Sequence, residues 1–191
     1  MTSARLETFS DGVLAIIITI MVLELGVPDG ADFDSIEPLL PVFLAYVLSF
    51  VKLGIYWNNH HHMLTTVDNV TGGMLWANLH LLFWLSLFPF VTGWMGENDF
   101  ASLPVAAYGV ASLGAAIAYF ILQRLIIRSQ GDSSPLAAAI GRDLKGKASP
   151  LLYITAIVFA YQARWLSLAL YVFVALMWLV PDRRIERTNS P

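Results

Sequence analysis

The 191-residue chain contains no cysteine, which excludes a disulfide framework and a thiolate metal site and leaves the redox compartment unmarked. Charge is almost as scarce. Asp, Glu, Lys and Arg make up 13% of residues and 57% are hydrophobic, with a mean hydropathy of +0.65, whereas a soluble domain carries about 25% charged residues. That balance is the balance of a membrane protein. No Walker loop, Rossmann glycine pattern, HExxH motif or nucleophile–base pair is present, so an enzyme is disfavoured. Nothing calls for a cofactor or a nucleic-acid partner, and no low-complexity tract or internal repeat stands out.

What the chain does have is apolar runs bounded by proline, glycine and charge. They predict an all-α, polytopic membrane protein with spans near residues 5–26, 39–62, 73–95, 104–128, 149–163 and 165–181. These six helices read as one transmembrane domain over residues 1–191. Pro41, Pro104 and Pro150 are expected at helix starts and Pro181 at the end of the last span. Glu7 and Asp11 spoil the basic region that a signal peptide would need, so the first helix is expected to be retained.

Loop charges set the orientation. Nine of the eleven basic residues, Arg5, Arg124, Arg128, Arg142, Lys145, Lys147, Arg183, Arg184 and Arg187, fall on one predicted side, which places both termini in the cytoplasm of a multi-pass cell-membrane protein. The opposite loops are acidic, with Asp29, Asp32, Asp34 and Glu37 after the first span and Glu97 and Asp99 after the third. Trp57, Trp76, Trp94, Trp165 and Trp178 lie near predicted span ends, as interfacial rings do, and Trp84 lies near mid-span. The connection containing LAAAIGRDLKG reads as a short basic amphipathic segment at the inner surface.

The first helix carries most of the functional information. At about 100° per residue, Gly12, Ile16, Thr19, Ile20 and Leu23 share one face, with Phe9 in line. Ordinary helix packing explains such a stripe. If several copies of this helix surround an axis, the same stripe forms apolar rings that gate by dewetting, with threonine hydroxyls between them to replace part of a cation's hydration. Asp11 points about 140° away from Ile16, toward neighbouring helices. An ionisable group there needs a partner, and the candidates are Lys52, His60, His61, Asn78 and His80. Lys52 is expected either to pair with it or to extend toward the interface.

The run His60-His61-His62 invites a metal site, but three adjacent histidines cannot share one helix face. A pH-sensitive hydrogen-bond cluster fits that position better. Pro89 is expected to kink the third span.

Arg5-x-x-x-Phe9-Ser10-Asp11, followed by Gly12, Ala15-Ile16 and Thr19, resembles the signature of the transmembrane protein 175 family of potassium channels. The resemblance extends to Trp57-x-x-His60-His61 and to Asn78-Leu79 with Pro89-Phe90. One copy of the motif is similar to the prokaryotic form, half of the duplicated animal lysosomal channel. The resemblance implies a homotetramer of six-helix subunits in the lipid bilayer, with the first helices lining a pore permeable to potassium ions. It implies a gate at Ile16, extended by Ile20 and Leu23, and a selectivity-linked hydroxyl at Thr19. Phe9, Ser10 and Asp11 would lock the first helix to the second and third through His60, His61 and Asn78. The competing reading is a proton-coupled transporter or proton-conducting channel that uses Asp11 and the histidines as a relay. A third is an intramembrane metal enzyme built on His60, His61 and His62.

Overall fold

The computed structural model describes residues 2–67, 69–131, 134, 136–137 and 143–179. Arg142, Arg183, Arg184 and Arg187, the middle of the expected amphipathic segment and the close of the last span at Pro181 lie outside the described residues.

Helix α1 (Ser3–Leu23) is followed by a loop with two short 3-10 turns, at Phe33–Ser35 and Glu37–Leu39, and then by α2 (Leu40–Leu64). A bent pair follows, α3 (Gly72–Ser86) and α4 (Phe88–Glu97), then the long α5 (Ser102–Gln130), α6 (Leu144–Phe159) and α7 (Arg164–Leu179). Among the described residues, four stretches are long and apolar enough to cross a membrane: Ser3–Leu23, Phe33–Leu64, Gly72–Glu97 and Ser102–Gln130. The chain is thus an all-helical, multi-pass membrane protein. Helices α6 and α7 have 16 residues each, about 24 Å at 1.5 Å per residue, which is shorter than a hydrocarbon core of about 30 Å.

Proline and capping residues account for the differences from the expected boundaries. Pro89 has no N–H for the Leu85 carbonyl and its ring crowds that oxygen, so the third span breaks at Leu87, between α3 and α4. Pro41 sits in the first turn of α2 as expected. Pro150 does not open a helix but lies inside α6. The Asp143 carboxylate accepts the Gly146 N–H at 3.0 Å and the Asp143 carbonyl accepts the Lys147 N–H at 3.1 Å, so the helix nucleates before the proline is reached.

The core is organised around α5, which packs on α3, α4, α6 and α7, while α1 packs on α2, α3 and α4. The buried face of α5 is rich in small residues, among them Ala106, Ala111, Ser112, Gly114, Ala115 and Ala118. Small residues let helices approach closely where lipid offers no hydrophobic drive for association. At Gly114 the approach is extreme, since a Cβ there would stand 2.2 Å from the Trp84 ring of α3. Trp84, the odd tryptophan of the sequence, is thereby a packing residue, and its indole N–H is taken by His80 Nε2 at 3.0 Å. Gly96 does the same between α4 and α2, with a built Cβ 2.5 Å from the Val42 Cα.

Gly114→Ala should therefore destabilise the purified protein by about 1–3 kcal/mol, as overpacking does. Gly54→Ala, where an added Cβ meets nothing within 4 Å, should be neutral or stabilising. Thermal unfolding of the two variants side by side checks the contrast.

Candidate functional site on the first helix

Helix α1 has two faces. Leu6, Ser10, Leu14, Ile17 and Met21 recur at helical spacing and are buried against the bundle, with Ile17 4% and Met21 1% exposed. Phe9, Gly12, Ile16, Thr19, Ile20 and Leu23 lie on the other side, Ile16 59% and Leu23 78% exposed. The predicted stripe is thus the surface that the chain does not cover itself. The Thr19 hydroxyl donates to the Ile16 carbonyl at 2.9 Å, which ties up its proton and leaves its lone pairs turned outward from the backbone.

The buried face is held by a directed chain of hydrogen bonds through three helices. His60 Nε2 on α2 lies 2.7 Å from Asn78 Oδ1 on α3, and Asn78 Nδ2 donates to Ser10 Oγ on α1 at 2.9 Å. Ser10 in turn donates to the Leu6 carbonyl at 2.9 Å. An amide oxygen only accepts, so His60 carries its proton on Nε2. Ser10 and Asn78 are fully buried and His60 is 2% exposed, so each bond stands where water does not compete.

Two further contacts flank this chain. Trp57 Nε1 donates to Asp11 Oδ1 at 3.0 Å, and His61 Nδ1 meets the Glu7 carboxylate. The pattern is reciprocal. Glu7, Ser10 and Asp11 stand at i, i+3 and i+4 on α1, and Trp57, His60 and His61 stand at i, i+3 and i+4 on α2. The two triplets pair in antiparallel order, with Asn78 inserted at the central position.

This arrangement corrects two expectations. Asp11 bonds none of Lys52, His60, His61, Asn78 or His80 in the structure; its partner is the Trp57 indole, and Ser10 takes the Asn78 amide in its place. Lys52 neither pairs with Asp11 nor extends to an interface. It is 3% exposed, donates to Ser112 Oγ at 2.7 Å and sits over the rings of Tyr108 at 4.5 Å and Tyr153 at 4.9 Å. Ring quadrupoles attract a cation in that position, so the aromatic surroundings take the place of a carboxylate.

Glu7 belongs to none of the sequence motifs that point to the site. Its i+3 and i+4 relation to Ser10 and Asp11 is the signal that places it on the same face. Arg5 and Phe9 are exposed. Among the described residues no group of three His, Cys, Asp or Glu is placed to hold a metal; His60 and His61 face different partners. In the loop between α1 and α2, the Ser35 hydroxyl and N–H hold the Asp32 carboxyl below the usual carboxylate range.

Fold and site together define an all-helical, multi-pass membrane protein whose first helix is fixed by a buried polar chain on one side and left uncovered on the other. A potassium channel of Chryseobacterium sp. (strain P1-3) is 54% identical over 188 residues, 98% of each chain, and a family model described as endosomal/lysosomal potassium channel TMEM175 matches residues 5–89. The chain belongs to the TMEM175 family, which is a family of channels and not of enzymes. The crystal structure of a lysosomal potassium-selective channel TMEM175 homolog from Chamaesiphon minutus is similar with a TM-score of 0.78 at 26% identity, covering 94% of this chain and 97% of that one. The human endosomal/lysosomal proton channel TMEM175 is 34% identical over 86 residues, 39% of this chain and 17% of that one.

Replacing Asn78 with leucine leaves the His60 N–H and the Ser10 hydroxyl buried without their partner. Asn78→Leu should lower stability by about 1–3 kcal/mol, whereas Trp57→Phe, which removes a bond at a half-exposed ring, should cost less than half as much. Equal thermal midpoints for the two would show that burial does not set the strength of this contact.

Proposed function

We propose that the chain is a potassium-permeable cation channel whose pore is lined by α1 from four copies of a six-helix subunit. The observation that carries this reading is the uncovered apolar stripe of Ile16, Thr19, Ile20 and Leu23 on a helix anchored from behind, in a member of a channel family. A relative of nearly the same length is named a potassium channel, and a structurally similar protein is described as potassium-selective. Ile16, Ile20 and Leu23 form the hydrophobic gate. Water leaves a narrow apolar ring, and ions follow only when the ring widens enough to stay wet. Thr19, one turn outward from Ile16, supplies hydroxyl oxygens to partly dehydrated potassium.

Ser10, Asp11, Trp57, His60, His61 and Asn78 serve as the anchoring network that keeps the stripe turned to the axis, whereas Arg5 and Phe9 stand exposed outside it. The whole chain acts as one channel domain in the cell membrane with both termini cytoplasmic, as the distribution of lysine and arginine supports. The acidic outer loop, repeated around the axis, raises local cation concentration at the outer mouth. A proton relay through Asp11 and the histidines finds less support: Asp11 is engaged by an indole and His60 by an amide, both on the face opposite the stripe.

In reconstituted vesicles, Ile16→Asn should raise basal potassium flux severalfold, because a polar ring wets more readily. An unchanged or smaller flux from normally assembled protein would remove Ile16 from the gate. Thr19→Ala should lower the potassium-over-sodium permeability ratio, read from reversal potentials. Mass measurement of the purified assembly should give four copies.

A further inference from the structure

An apolar groove of about 480 Å³ opens between α3, α4, α5 and α6, with no residue of α1 or α2 in its wall. It lies beside the break at Leu87, where alanines of α5 leave room, and Phe90, Val110 and Ile157 complete its sides. Phe90 and Val110 are exposed, so the groove faces the surroundings of the bundle. Trp84 brings the one side-chain donor below the rim, and its indole N–H is already taken by His80. A polar solute would lose its hydration here and regain no hydrogen bonds. Along α5 the groove runs from Leu103 to Ala111, about 12 Å at 1.5 Å per residue. That is close to one leaflet of a hydrocarbon core of about 30 Å.

The character changes at the end where α5 begins and α6 passes into α7. Tyr161 closes the groove there, and Arg164 and Trp165 follow at the start of α7. The Trp165 ring lies 6.0 Å from that of Phe100, just before α5, and the Arg164 guanidinium lies 5.4 Å from the Trp165 ring. Such rings sit at the level of lipid headgroups. Arg164 is exposed and pairs with no carboxylate among the described residues. It stands at the opposite end of the helices from Arg124, Arg128, Lys145 and Lys147, so the basic character of that other end does not account for it.

A groove one leaflet deep that ends at a cation without a carboxylate partner suits a molecule with an apolar tail and an anionic group at the interface. We propose that it binds a phospholipid, with an acyl chain in the groove and the phosphate on the Arg164 guanidinium, whose fork of donors matches phosphate oxygens. Tyr161 and Trp165 flank the glycerol region. The site is separate from the stripe on α1 and its occupancy does not depend on how ions cross.

The test is native mass spectrometry of the full-length, delipidated protein in detergent, titrated with dioleoyl phosphatidylethanolamine. Dioleoylglycerol, which lacks the phosphate, and inorganic phosphate, which lacks the chains, serve as controls. The wild type should bind the phospholipid saturably and each control at least tenfold more weakly. Arg164→Gln, at an exposed position, should weaken phospholipid binding at least fivefold and leave dioleoylglycerol binding as it is. Val110→Trp, also at an exposed position, fills the groove with an indole and should abolish binding of both lipids with the mass of the assembly unchanged. Absence of saturable phospholipid binding to the wild type overturns the proposal. So does equal binding of either control, or phospholipid binding unchanged in either variant. Loss of the assembly in Val110→Trp would place a second copy of the chain in the groove and overturn it as well.

Discussion

One buried amide fixes the geometry on which the rest depends. Asn78 accepts from a histidine on α2 and donates to a serine on α1, so three helices share one side chain at a depth where no bond can be exchanged for water. Helices in lipid have no hydrophobic drive to associate, and rotation of a helix about its own axis costs little unless something specific resists it. The directed chain from His60 to the Leu6 carbonyl supplies that resistance. With Glu7 and Asp11 engaged on either side, the rotation of α1 is set at its N-terminal third. The faces of the remaining turns follow from helical geometry.

The consequence is a division of labour along one helix. Polar residues near its start face inward to the helix bundle, and the apolar stripe beyond them faces outward from it. The ionisable group that draws attention in the sequence thus serves placement, and the uncharged face carries the proposed conduction. The far half of the bundle rests on different physics. There α5 admits its neighbours through small residues, and a buried lysine is held by rings and a hydroxyl without an acid. The α1 anchor and the Lys52 surroundings share only α2, which contributes Trp57, His60 and His61 to one and Lys52 to the other.

Much of this was legible in the residues alone. Periodicity assigned the exposed and buried faces of α1, proline placed the break in the third span, and loop charge suggested an orientation. Asn78 and His60 were readable as partners for the first helix because polar side chains in an apolar run need each other. What periodicity does not contain is register between helices. It cannot say that Trp57 stands opposite Asp11, because that depends on where two antiparallel helices cross. Glu7 was missed for the same reason, since its partner is 54 residues away. The surroundings of Lys52 come from α4, α5, α6 and α7 at once, and no local spacing announces them. The early start of α6 arose from a cap at Asp143 that outweighed the proline signal at Pro150.

The absence of native cysteine makes the central claim directly measurable, because any introduced thiol is unique. Single variants along α1, from Leu14→Cys to Leu23→Cys, can be reconstituted in vesicles and treated with a membrane-impermeant thiol reagent while potassium flux is followed. The account predicts loss of flux for Ile16→Cys, Ile20→Cys and Leu23→Cys, and no change for Leu14→Cys, Ile17→Cys and Met21→Cys. Block at the second set, or equal reactivity around the helix, would contradict the claim that the buried polar chain turns the stripe toward the ion path.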